Sequence, residues 1–119
     1  IDRNSVEIPK EIEKMADQTV HMVTESIDSF VKADLDLCRK VINDDDMVDE
    51  SFEQVKTELT EMICHRSIDA KLALDLLMTA KYMERIGDHA VNIAEWVEYS
   101  ITGIHRNNEH QNQTGGIIN

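Results

Sequence analysis

Four acidic side chains stand at a spacing that chemistry can use. Asp45 and Asp49 are four residues apart, as are Glu84 and Asp88, and on a helix that spacing projects each pair from one side, about 6 Å apart. On a helical wheel Asp45 falls within the apolar arc of its helix, while Asp49, Glu84 and Asp88 fall within or at the edge of theirs. Carboxylates gathered this way raise one another's pKa, and partial burial disfavours their ionisation further. A bound multivalent cation removes the conflict. An all-oxygen donor set favours hard or intermediate ions such as Mg²⁺, Mn²⁺, Ca²⁺ or iron over a typical structural zinc site, which prefers Cys and His. The alternative is that the acids sit at the rim, fan outward and pair with Arg85, Lys81 or solvent. Spacing alone leaves both open.

The elements that must position these acids are helices. Pro9 sits where a first helical turn tolerates it, and Ile8, Ile12, Met15, Thr19, Val23, Ile27 and Phe30 then step by three or four to near Ala33. Asp34 is a suitable N-cap for a second helix, whose stripe reads Cys38, Val41, Ile42, Asp45, Val48, Asp49, Phe52, Val55, Leu59, Met62 and Ile63. Ser67 offers the next cap and Asp69 an acid in the first turn. A third stripe through Ala70, Ala73, Leu77, Ala80, Glu84, Gly87, Asp88, Val91, Ala94 and Ile101 reaches Gly103. Three helices joined by turns too short for crossovers run up, down and up, so the expected fold is all-α, an elongated antiparallel three-helix bundle. Residues 1–7 are expected to be irregular, 8–104 to form the bundle, and 105–119, rich in Asn, Gln, His and Gly without periodicity, to be a disordered polar tail.

The turn between the second and third helices centres near residues 66 and 67. Folding the chain back there sets Asp45 level with Asp88 and Asp49 level with Glu84, so all four carboxylates meet at one height. The same folding about residue 34 sets Thr19 and Val23 beside them, and neither is acidic. The cluster therefore belongs to the side of the second and third helices and opens to one surface, which suits a site shared with a partner. Gly87 lies inside the third helix at a cost of roughly 1 kcal/mol relative to alanine; either its missing side chain lets a helix or a metal cluster approach closely, or it serves tight helix packing. Asn92 continues the edge after Asp88 as a further candidate ligand or cap. His89 points away by one residue and is read as exposed.

Composition narrows the partners. The 119 residues suit one domain, and 24 acidic against 12 basic side chains leave a net charge of −12. That balance argues against a broad nucleic-acid surface, which must gather Lys and Arg, and disfavours anionic membrane. No apolar run approaches the ~20 residues of a spanning helix, and no basic start leads into an apolar stretch; the expectation is a cytoplasmic protein without membrane insertion. Cys38 and Cys64 fall in one helix roughly 39 Å apart, too far to pair, and are read as reduced.

The segment Tyr82-Met83-Glu84-Arg85-Ile86-Gly87-Asp88-His89-Ala90-Val91-Asn92-Ile93-Ala94-Glu95-Trp96 closely resembles the signature of the PhoU family of phosphate-transport regulators. Val97 to His105 resembles the close of the second half of such proteins, and Val41 to Val48 with Asp49 resembles their second-helix motif. Similarity spans roughly residues 8 to 105, one three-helix unit. The resemblance implies a negative regulator of the phosphate-starvation response that couples a phosphate ABC transporter to a sensor histidine kinase at the inner face of the cell membrane, without catalysing a reaction. It implies an E-x-x-x-D motif, here Glu84 and Asp88 with Asp45 and Asp49 facing, and multinuclear metal clusters, often of iron or zinc, on that surface. A typical member is about twice as long. The chain, which begins at Ile1, is thus expected to be the C-terminal half of a two-repeat protein, or a single repeat that forms a homodimer.

Two other functional classes were weighed. A carboxylate-bridged di-metal enzyme characteristically needs Glu-x-x-His, and no histidine here has Glu three positions before it. A plain helical interaction module would need no metal at all.

Overall fold

Three helices form where the periodicity asks for them. In the computed structural model, which describes residues 8–103, they are α1 (Lys10–Lys32), α2 (Leu35–Cys64) and α3 (Ala70–Thr102). The expected irregular start at 1–7 and polar tail at 105–119 lie outside the described residues. The helices pack up, down and up into a body of 56 × 29 × 19 Å, the elongated antiparallel bundle expected. No helix among the described residues is long and apolar enough to cross a membrane.

The turns follow from local chemistry. Ala33 takes the left-handed conformation at φ 50°, and the Asp34 carboxylate then accepts from the Leu37 N–H at 3.1 Å, so one residue ends α1 and the next caps α2. The second turn differs from expectation. Ser67 does not cap α3; its hydroxyl donates back to the Met62 carbonyl at 3.2 Å and helps to close α2. Ile68 tucks into the core, and α3 begins only after Asp69, whose carbonyl accepts from the Ala73 N–H at 2.9 Å. Burying Ile68 moves the helix start two residues on.

The core is built from Met15, Met22, Cys38, Val41, Val48 and Val55, all fully buried, with Ala80, Ala90 and Ala94 from α3. The inward stripe of α1 departs from the expected one. Met22, Ser26 and Ser29 are buried, while Val23 is half-buried and Ile27 and Phe30 are exposed. The reason is geometric: each step of four residues overshoots a 3.6-residue turn by about 40°, so three such steps from Met15 to Ile27 rotate off the face. Steps of three restore it. Ser26 and Ser29 are tolerated there because their hydroxyls donate to the Val23 and Ser26 carbonyls at 2.8 and 2.7 Å. Ala70, Ile63 and Ile101 of the expected stripes are also exposed, whereas Leu72, Ala90, Val97 and Glu98 are buried.

Ion pairs tie the elements at one end. Arg39 near the start of α2 donates to the buried Glu98 of α3 at 3.0 Å, and Lys40 bridges Glu25 of α1 at 2.8 Å and Asp44 at 3.0 Å. Cys38 is buried and Cys64 exposed, both as free thiols.

Gly87 faces the core rather than the acids. A Cβ placed on it would lie 3.7 Å from Met22 Sδ and 3.7 Å from Val48 Cγ1, which is ordinary contact. Close helix approach therefore does not demand glycine. Gly87→Ala is expected to fill that space and recover helix propensity, stabilising the bundle by up to about 1 kcal/mol. Urea denaturation of the two proteins checks this; a destabilised variant would show that the backbone contact is tighter than the geometry indicates.

Candidate metal centre

The hairpin of α2 and α3 sets the site. Gly87 and Val48 face one another across the α2–α3 seam, and in that register Asp45 and Asp49 of α2 come against Glu84 and Asp88 of α3. Asp45 and Glu84 are half-buried, while Asp49 and Asp88 are exposed at the mouth. The predicted four are thus brought to one place. Asn92 lies exposed one turn beyond Asp88, and His89 is exposed as expected.

Electrostatics report how closely these groups meet. The Asp45 carboxyl is pushed up to about 6, first by desolvation and then by the charges of Asp49, Asp88, Asp46 and Glu84. Asp49 is also raised, first by desolvation, then by its hydrogen bond to Glu84 and by the charges of Glu84, Asp88 and Asp46. None of the raising groups comes from α1. The cluster therefore belongs to the α2–α3 side, as the absence of acids at Thr19 and Val23 suggests.

One carboxylate oxygen stands out. Asp45 Oδ1 is buried without a hydrogen-bond partner among the described residues, an arrangement that costs free energy and that a cation would relieve. Some relief is already present: the Lys81 ammonium, one turn before Glu84, donates to Glu84 Oε1 at 2.7 Å. That is one of the pairings open to acids at a rim. Arg85 does not join it, lying instead over the Tyr82 ring at 5.8 Å. Lys81 also sits 5.3 Å from the centre of the Phe52 ring, with Lys56 on the same ring at 5.1 Å. Among the described residues no three His, Cys, Asp or Glu side chains converge tightly enough to hold a metal ion as they stand. The donor set has the chemistry for a cation, and its side chains would have to close around one. Asp46 is the neighbour that spacing did not single out; it follows Asp45 directly and bears on both raised groups.

A recess of about 710 Å³ is lined by Lys10, Glu13, Lys14, Asp17 and His21 of α1 and by Met47 of α2, among others. Its two ammonium and two carboxylate groups offset one another, and none of the four clustered acids lines it.

Comparison with known proteins decides the lineage of this hairpin. The family model for the PhoU domain matches residues 12–97, which includes all three helices and the four acids. The chain belongs to the PhoU family. A phosphate-specific transport system accessory protein PhoU homolog 1 from Thermotoga maritima is 36% identical over 97 residues, covering 82% of this chain and 42% of that protein. The PhoU homolog of Clostridium acetobutylicum is 33% identical over 97 residues, covering 82% and 44%. The PhoU accessory protein of Escherichia coli K12 is 28% identical over 92 residues, covering 77% and 38%. The chain therefore spans less than half the length of these PhoU relatives. No solved structure matches it.

The raised carboxyls make stability depend on pH in a defined direction. Asp45 binds its proton more tightly folded than unfolded, so without metal the native state gains stability as pH falls from about 6 towards about 4 and loses it on the way back up. A two-unit shift has an upper bound of about 3 kcal/mol, which solvent screening at this half-buried position reduces to about 1 kcal/mol. In the presence of a chelator, Asp45→Asn is expected to melt higher than the parent at pH 7, with the gap narrowing by pH 4. A variant less stable than the parent at pH 7 would show that the ionised carboxylate is not under strain.

Proposed function

We propose that this chain is a metal-binding regulatory module of a phosphate-uptake system, a negative regulator of the phosphate-starvation response rather than an enzyme. In this reading it couples a phosphate ABC transporter to a sensor histidine kinase at the inner face of the cell membrane. It works paired, with a second copy or with a sister repeat. Membership of the PhoU family and the accessory role in the printed names of its relatives support the phosphate-transport part.

The observation that carries the metal part is the partnerless, buried Asp45 Oδ1 within a group of carboxyls that raise one another's pKa. Asp45, Asp49, Glu84 and Asp88 would hold the ion, with Asn92 as an additional oxygen donor. Iron, manganese, magnesium or zinc would supply positive charge that offsets the clustered carboxylates. Ligation in a groove open to one side would leave positions for a partner's donors.

A second reading is a helical interaction module whose acids bind no metal. The Lys81–Glu84 ion pair at 2.7 Å favours it, because it already neutralises one of the four.

Metal analysis separates the two. Purified protein exposed to iron, manganese, magnesium or zinc is expected to retain bound metal and to melt higher at saturation, while Glu84→Ala/Asp88→Ala retains none and shows no shift. Equal metal content in both proteins, or none in either, would favour the metal-free module.

A further inference from the structure

One cation is already seated among the clustered acids. The Lys81 ammonium donates to Glu84 Oε1 at 2.7 Å, reaching that carboxylate from three residues earlier on the same helix. The partners differ in exposure: the Glu84 side chain is 15% exposed and the Lys81 side chain 44%. Lysine therefore brings its charge from the solvent side onto an acid that is itself largely covered. Exposed pairs of this spacing are common and contribute little. This one differs in what surrounds its acceptor, because Asp45, Asp49 and Asp88 complete the group and Asp45 Oδ1 is buried without a partner among the described residues.

A second element holds the same lysine. Its ammonium lies 5.3 Å from the centre of the Phe52 ring of α2, and Phe52 is buried, so the ring offers a fixed face. Phe52 follows Asp49 by three residues on α2, as Lys81 precedes Glu84 by three on α3. The ring thus adjoins the acids and gives the ammonium a resting place beside Glu84. Lys56 reaches the ring as well, at 5.1 Å, but pairs with Glu53 at 2.9 Å. Arg85 lies over Tyr82. Among the described residues, Lys81 alone forms an ion pair with any of the four acids.

We infer that Lys81 is a tethered counter-ion that competes with the metal for Glu84 and so sets how tightly the α2–α3 site binds it. An ammonium and a divalent ion on one carboxylate repel each other, so filling the site drives Lys81 off Glu84, and its half-exposed side chain has solvent to move into. Two cations that exclude one another from a shared group weaken each other's binding by the same factor. The lysine therefore neutralises one acid while no metal is bound, and it raises the metal concentration at which the site fills. The inference rests on the metal-binding reading proposed above and concerns how that same site is regulated.

Titration calorimetry of Mn²⁺ into the chelator-treated 119-residue chain tests it. Lys81→Met keeps an unbranched chain over Phe52 without the charge; it is expected to bind Mn²⁺ at least about 5-fold more tightly than the parent and, without metal, to melt lower. Lys81→Arg restores the charge and is expected to return affinity towards that of the parent. Arg85→Met removes a cation that does not pair with the acids, and is expected to stay within about twofold of the parent. Circular dichroism checks that each variant keeps its helices, and Lys81→Gln replaces Lys81→Met if that one does not. Affinity that is unchanged or weaker in Lys81→Met, or raised equally by Arg85→Met, would overturn the counter-ion role and leave the metal site standing. Absence of Mn²⁺ binding in both the parent and Lys81→Met would overturn the site and the role together.

Discussion

The mutual repulsion of four carboxylates held at one height is the interaction on which the rest of this structure turns. It is imposed by the register of the α2–α3 hairpin, in which Gly87 and Val48 face one another on the core side. In that register Asp45 and Asp49 have Glu84 and Asp88 beside them. In the absence of a cation the cluster keeps the Asp45 and Asp49 carboxyls above their ordinary range and draws Lys81 onto Glu84. The hydrophobic core supplies the stability that tolerates this, through the buried valines and methionines on the other side of the same helices.

The bundle separates its surfaces by chemistry. The groove between α2 and α3 gathers the four acids and is half-open, while exposed apolar side chains such as Ile27 of α1 and Ile93 of α3 stand on other faces. Helix α3 serves both because opposite sides of its wheel carry the two chemistries, with Glu84 and Asp88 on one side and Ile86 and Ile93 on the other. The ion pairs of Arg39 with Glu98 and of Lys40 with Glu25 join α2 to each of its two neighbours.

Much of this arrangement is legible in the residues themselves. The helix spans, the cap at Asp34 and the meeting of the four acids follow from apolar spacing and from the position of the turn. The failures are equally physical. A run of four-residue steps carried the reading of α1 off the core face to Ile27 and Phe30, where the structure buries Met22, Ser26 and Ser29. Ser67 has the chemistry of a cap, yet burial of Ile68 takes the helix start elsewhere. A wheel also says which residues share a side without saying which sides find a partner, so the exposure of Ile27 and Ile93 emerges only once all three helices are packed. The place of Asp46 beside Asp45 and Asp49 was hidden among ordinary surface acids for the same reason.

In the proposed site a cation takes the place of protons that the raised Asp45 and Asp49 carboxyls bind. Titration calorimetry of Mn²⁺ into metal-free protein, repeated in buffers of different ionisation enthalpy, counts the protons released on binding. Binding is expected with proton release near pH 6 that fades towards pH 8, and with neither in Asp45→Asn/Asp49→Asn. Absence of binding, or binding at pH 6 without proton release, would contradict it.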